Sequence, residues 1–137
     1  MHDHPILAID YGDARIGLAA TDEFAIGAHP VETVDNRKEG VLERIVEVIA
    51  ERKIQHVLLG LPLRLNGSES KSSEKVRAFA EKLRPKISPV PLTLFDERFT
   101  TVTASEKLRE AGRKAKNQRE VIDQAAALEI LNDYLGW

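Results

Sequence analysis

The chain has 137 residues, no cysteine and a net charge of −2, with 42% hydrophobic and 31% charged residues. This length suits one globular domain, and the absence of cysteine excludes disulfides, thiolate metal sites and a cysteine nucleophile. The small negative charge argues against a protein that coats nucleic acid without regard to sequence, yet it allows an enzyme with a local basic surface.

The beginning of the chain predicts three strands. Three apolar runs are bounded by turn residues, at positions 5–11, 15–21 and 25–34. Strands joined by such short connections favour an antiparallel meander. We expect the first strand to be central in the sheet, because both of its faces are apolar over residues 6–9.

The remainder of the chain alternates between helical and strand periods. Helical patterns cover residues 41–51, 76–83, 101–111 and 118–135. Short apolar strands at 56–60 and 91–95 lie between the first three of these helices. This order predicts one α/β domain over residues 1–137, with a mixed five-stranded sheet and helices on both faces. No apolar run approaches the ~18 residues of a membrane span, and no signal-peptide pattern is present, so we expect a cytoplasmic protein.

Asp10 stands where the first apolar strand meets a glycine turn. It shares a strand face with Ile6 and Ala8, where a charge is costly unless it is paired, hydrated or bound to a cation. The alternative is a turn aspartate that accepts a hydrogen bond from a nearby backbone amide.

Asp96 and Glu97 directly follow the 91–95 strand. If that strand runs parallel to the first, these carboxylates emerge at the same edge of the sheet as Asp10, where open α/β sheets bind ligands. Acidic residues after a strand are common, so this tripeptide, DER, is a weak signal by itself.

Asp123 borders the side of the last helix that packs on the sheet. It shares that side with Ala126, Ala127 and Ile130, and the alanines at 125–127 let the helix approach the sheet closely. The alternative is a partly buried aspartate paired with an arginine such as Arg119.

Carboxylates at these three places predict a cation site made of oxygen atoms. With no cysteine and no histidine pair at helical spacing, such a site suits Mg²⁺ or Mn²⁺. Two ions about 4 Å apart activate water and stabilise the leaving oxygen of a phosphodiester. The residues therefore predict metal-dependent phosphodiester hydrolysis.

Four segments resemble the YqgF family, also called RuvX or Holliday junction resolvases, of the RNase H-like superfamily. They are DYGDARIGLA from Asp10, GLPLRLNGS from Gly60, DERFTT from Asp96 and DQAAALEIL from Asp123. They occur in order over almost the whole chain without a departure from the family pattern. The resemblance implies an RNase H-like fold and a nuclease acting on structured nucleic acid.

The resemblance also implies acidic site residues at Asp10, within the DER segment and at Asp123. Within DER we assign the catalytic and cation-binding role to Glu97, with Asp96 as its rival. The family looks tied to maturation of the 5′ end of pre-16S ribosomal RNA, while its older name implies cleavage of four-way DNA junctions. We therefore expect precursor rRNA or branched DNA as the partner, and either a monomer or a homodimer.

Basic and polar residues near the carboxylates are candidates for binding phosphate: Arg15, Asn66, Ser68, Arg98, Thr100, Arg113, Lys114 and Lys116. The basic stretch GRKAKNQR precedes the Asp123 helix, where it would neutralise a nucleic-acid backbone. The alternatives are local: a solvated loop, arginines paired with neighbouring carboxylates, and an ordinary helix N-cap at Ser68.

Two other functions compete with the nuclease. The segment DYGDARIG also resembles the phosphate loop of actin-like ATPases and sugar kinases, but that architecture needs two such domains. A non-catalytic nucleic-acid or protein-binding module is the second competitor. The presence of all three carboxylates argues against it.

Overall fold

The computed structural model describes residues 3–97 and 118–137. The strands are β1 (Ile6–Tyr11), β2 (Arg15–Thr21), β3 (Ala28–Asp35), β4 (His56–Leu61) and β5 (Leu92–Asp96). The helices of the described residues are α1 (Val41–Glu51), α2 (Lys71–Ile87) and α3 (Gln118–Leu135). The helix predicted at 101–111 lies outside the described residues.

The strands form one sheet in the order β3-β2-β1-β4-β5. β1 pairs antiparallel with β2, and β2 pairs antiparallel with β3. β4 runs parallel to both β1 and β5, with Ile9 beside Leu59. This topology confirms the mixed five-stranded sheet, the antiparallel meander and the central position of the first strand.

Alternation along β1 divides the core between the two faces of the sheet. Leu7 and Ile9 belong to a large apolar cluster that includes buried residues of α1 and α2. Ile6 and Ala8 belong to a smaller cluster with Ile130 of α3. Helices therefore cover both faces, as the sequence predicts.

The turn between β2 and β3 is wider than the break between the predicted strands at 15–21 and 25–34. The carboxylate of Asp22 accepts hydrogen bonds from the backbone N–H groups of Phe24, Ile26 and Gly27. These bonds hold residues 22–27 in a turn, so β3 begins at Ala28 instead of residue 25. Among the described helices, none has the length and apolar character needed to cross a membrane.

Candidate active site

Asp10 lies at the edge of the sheet where the parallel strands β1, β4 and β5 all end. By strand alternation it faces the same side as Ile6 and Ala8, the side that α3 covers. The residue as a whole is half-buried. The residue opposite Asp10 on β2 is Gly17.

Gly17 explains how α3 reaches this edge of the sheet. A Cβ atom added to Gly17 would collide with the backbone carbonyl of Asp123. The missing side chain therefore allows α3 to bring Asp123 beside Asp10. Sequence reasoning attributed this approach to the alanines at 125–127 and missed Gly17, although a glycine inside a strand is a recognised sign of close backbone contact.

Gly60 makes comparable room for Glu97. The backbone N–H of Glu97 donates to the carbonyl oxygen of Leu61 over 3.0 Å, extending the pairing of β4 and β5 by one residue. A Cβ atom on Gly60 would collide with the carboxyl group of Glu97 and would lie 2.8 Å from Cδ1 of Ile130. Glu97 therefore lies over Gly60, on the face that α3 covers. Gly60 is a second residue that sequence reasoning missed, and the same strand-glycine signal marks it.

The register of β5 separates Asp96 from Glu97. Asp96 lies beside Leu61, which belongs to the large cluster under α1 and α2. Phe95 packs against the smaller cluster on the α3 face. Because consecutive strand residues alternate, Glu97 and not Asp96 shares a face with Asp10. This geometry favours Glu97 as the ligand within the DER segment.

The electrostatics tie Glu97 to its acidic neighbours. Burial, followed by the negative charges of Asp10 and Asp96, raises the pKa of the Glu97 carboxyl to about 8. The sequence-based mechanism required no raised pKa. The difference arises because the fold buries Glu97 close to two other carboxylates, which the residue pattern does not predict.

Asp123 is paired with Arg15. The Nε–H group of Arg15 donates to Oδ2 of Asp123 over 2.8 Å, and the two side chains are 27% and 20% exposed. The residue after Asp123 is also tied to the sheet, because the Gln124 amide donates to Oγ1 of Thr33 over 3.1 Å. The predicted alternative, an arginine partner for Asp123, thus occurs with Arg15; the Arg119 side chain lies outside the described residues.

The three predicted carboxylates reach one edge of the sheet without being assembled as ligands. Within residues 3–97 and 118–137, no group of three or more histidine, cysteine or acidic residues is arranged to hold a metal ion. Asp10 and Glu97 repel each other, and Arg15 holds the carboxylate of Asp123. The donors are all carboxylate oxygens, which fits Mg²⁺ or Mn²⁺, and a cation would relieve the repulsion.

Ser68 lies in the loop after β4 and is not the N-cap of α2. Oδ1 of Asn66 accepts hydrogen bonds from the backbone N–H and the hydroxyl of Ser68, so both residues shape the turn. The N-cap of α2 is Ser70, which forms a capping box with Ser73. Asn66 and Ser68 are exposed near the carboxylate edge, and their role in binding phosphate stays a prediction.

The remaining predicted phosphate-binding residues lie outside the described residues: Arg98, Thr100, Arg113, Lys114 and Lys116. Of the basic candidates, the described part of the chain contains Arg15. Arg15 lies against Asp123 and lines a cleft of about 570 Å³.

Comparisons with known proteins agree with the sequence resemblance. A family described as "RuvX: Holliday junction resolvase" matches residues 4–136. A protein of Cutibacterium acnes named "Putative pre-16S rRNA nuclease" is 50% identical over 129 residues, covering 94% of this chain and 80% of that protein. A protein of Streptomyces avermitilis with the same name is 51% identical over 130 residues, covering 94% and 83%.

Two solved structures have a similar fold. Thermus thermophilus RuvC in complex with a Holliday junction substrate superposes with a TM-score of 0.57 at 16% identity, covering 96% of both chains. A structure of Thermus thermophilus RuvC superposes with a TM-score of 0.54 at 15% identity, again over 96% of both chains. At this identity the likeness concerns the fold alone, and it confirms the RNase H-like α/β architecture.

Proposed function

This chain belongs to the RuvX family, and from that premise we propose that it is a metal-dependent nuclease that hydrolyses phosphodiester bonds in structured nucleic acid. One observation carries the proposal: the carboxyl group of Glu97 lies over Gly60 beside Asp10, with its pKa raised to about 8. Such an arrangement disfavours the ionised form of Glu97, and a bound divalent cation would favour that ionised form instead.

The proposed catalytic residues are Asp10, Glu97 and Asp123. Asp10 and Glu97 hold the cation site from the sheet, and Asp123 approaches it from α3. When bound, two Mg²⁺ or Mn²⁺ ions supply Lewis-acid charge at the scissile phosphate and activate the attacking water. Arg15 and the polar loop at 66–68 would meet the phosphates of a nucleic-acid strand at this edge of the sheet.

For the substrate we propose the 5′ segment of pre-16S ribosomal RNA, because relatives about 50% identical carry that name. A protein that acts on this RNA works in the cytoplasm, which we include in the proposal. The four-way DNA junction is the second candidate, and the description of the family favours it.

A cleavage assay on both substrates tests the proposal. A 5′-labelled precursor-RNA segment and a four-way DNA junction are each incubated with Mg²⁺, Mn²⁺ or excess chelator. We expect cleavage to need the metal, and Asp10→Asn to reduce it about a thousandfold, since several kcal/mol of transition-state stabilisation are lost.

Asp13→Asn is the matched control, because Asp13 is an exposed carboxylate three residues away that pairs with Lys75 over 3.0 Å. It should cleave like the wild type. Melting curves of both variants check that the fold is intact. Undiminished cleavage by Asp10→Asn, or cleavage in excess chelator, contradicts the mechanism; metal binding without cleavage of either substrate points to a binding module.

A further inference from the structure

Arg15 contacts one of the proposed cation ligands directly. Its Nε–H group donates to Oδ2 of Asp123 over 2.8 Å, and both side chains are largely shielded from water. A charge-assisted hydrogen bond in such surroundings is stronger than an exposed ion pair. Arg15 therefore binds a carboxylate that the proposed mechanism needs for the cation.

The strand places this guanidinium at the carboxylate edge of the sheet. Arg15 is the first residue of β2, and it shares a face with Gly17 two residues later. Gly17 lies opposite Asp10 and against the backbone of Asp123. Arg15 thus lies beside the proposed cation ligands but is not itself a ligand.

Most of the hydrogen-bonding capacity of Arg15 is not used by Asp123. A guanidinium carries five N–H groups in a planar fork, and the bond to Asp123 uses the one on Nε. Within the described residues, neither terminal nitrogen of Arg15 has an assigned acceptor. Arg15 also lines the cleft of about 570 Å³, together with Thr33 and Lys38.

Two other arginines that line the same cleft are each held at two points by one carboxylate. Arg37 donates through Nε and Nη2 to Asp35, and Arg44 donates through the same two nitrogens to Glu32. Arg15, held at a single point, differs from both.

We propose that Arg15 has two alternate partners. In the cation-free protein it holds Asp123; when Asp123 joins the cation site, Arg15 turns to a phosphate of the nucleic-acid strand at the mouth of the cleft. The fork of a guanidinium matches the oxygens of a phosphate. The inference rests on the proposed function and deepens it: Arg15 competes with the cation for Asp123, yet it strengthens substrate binding.

Mn²⁺ titration without nucleic acid tests the first half of the inference. We expect Arg15→Gln to bind Mn²⁺ about tenfold more tightly than the wild type, because Asp123 loses its competing partner. Arg84→Gln is the control with the same change of charge, since Arg84 pairs with Glu81 on the exposed side of α2. It should leave the Mn²⁺ affinity unchanged.

A double-mutant cycle separates competition for Asp123 from the mere loss of a positive charge near the cation. In an Asp123→Asn background, Arg15→Gln should no longer tighten Mn²⁺ binding. Tightening that persists in this background, or no tightening in Arg15→Gln alone, overturns the exchange of partners.

The second half concerns phosphate. With saturating Mn²⁺, Arg15→Gln should raise KM for the cleaved nucleic acid about tenfold with a smaller change in kcat, and Arg15→Lys should recover part of the loss. An unchanged KM contradicts the phosphate contact. If the wild type binds no Mn²⁺, the proposed function itself fails; if only the Arg15 variants behave otherwise than expected, that function stands without this role for Arg15.

Discussion

The two faces of the sheet are built from the same strands and differ sharply in what they bury. Among the described residues, the cluster under α1 and α2 contains eighteen buried apolar residues, and the cluster under α3 contains five. At the carboxylate edge, the α3 face carries Gly17, Gly60, Asp10 and Glu97 in place of large apolar side chains. The face under α1 and α2 therefore supplies most of the described hydrophobic burial.

The difference has an energetic reason. Burying a leucine or isoleucine side chain stabilises a fold by about 1.5–3 kcal/mol, whereas a glycine buries no side chain and a half-buried carboxylate is costly. The α3 face gives up this stabilisation where helix and sheet must approach closely. The larger apolar face offsets this loss. The residues that contribute most to stability and the proposed catalytic residues therefore lie on opposite faces of the sheet.

The largest effect we expect comes from a methyl group at Gly17. In Gly17→Ala, the new Cβ meets the backbone of Asp123, which cannot move without shifting α3. We expect a loss of about 3 kcal/mol or more in the free energy of unfolding, and cleavage reduced at least about a hundredfold as Asp123 is displaced. Urea unfolding and the cleavage assay measure the two effects.

Gly27→Ala is the matched control for this substitution. A Cβ atom at Gly27 would have no heavy atom within 4 Å, and the residue lies in the turn before β3. The variant should be as stable and as active as the wild type. Equal tolerance at Gly17 would mean that α3 does not need its close approach, and the contrast between the faces would lose its main support.

Much of the fold follows from local patterns in the sequence. The strand and helix periods predict the sheet, its meander and its two covered faces, because each depends on residues close together in the chain. Asp10 stands out for a similar reason, as a charge in an apolar strand. The boundaries of β3 depend instead on the Asp22 carboxylate and its three backbone bonds, which the residue pattern does not predict.

The features of the site that the sequence did not predict depend on segments that are far apart in the chain. Arg15 and Asp123 are 108 positions apart, and the contact between Gly17 and the Asp123 backbone joins the same segments. The raised pKa of Glu97 likewise arises from burial and from Asp10, far away in the chain. Such pairings become visible only when α3 is packed on the sheet.

The second-largest effect we expect is a pH dependence of stability that comes from Glu97 on the α3 face. The pKa of Glu97 rises from 4.5 to about 8 on folding, so between these pH values the folded state binds more protons than the unfolded state. Stability of the metal-free protein therefore falls as pH rises through this window. Glu97→Gln removes the titration and should stabilise the protein by about 3 kcal/mol at pH 7, with no gain near pH 4.

Urea unfolding from pH 4 to pH 9 in chelator measures this difference. The same variant should lose cleavage, so that stability and activity change in opposite directions. A Glu97→Gln protein that is less stable than the wild type at pH 8 would contradict the costly placement of this carboxyl group. Added Mn²⁺ should narrow the gap in stability, since the wild type binds the cation more tightly than the variant.

The smallest effect we expect comes from removing one methyl group on each face, and it compares the two faces most directly. Ile45→Val in the large cluster and Ile130→Val under α3 each remove one buried methyl group, at a cost of about 1 kcal/mol in either case. The methyl group lost from Ile130 is Cδ1, which lies beside Gly60, where the Glu97 carboxyl also lies. Ile130→Val should therefore weaken the pH dependence of stability and change Mn²⁺ affinity, because water reaches Glu97 more easily, whereas Ile45→Val should change neither. If the two variants alter Mn²⁺ affinity equally, the faces are not functionally separate.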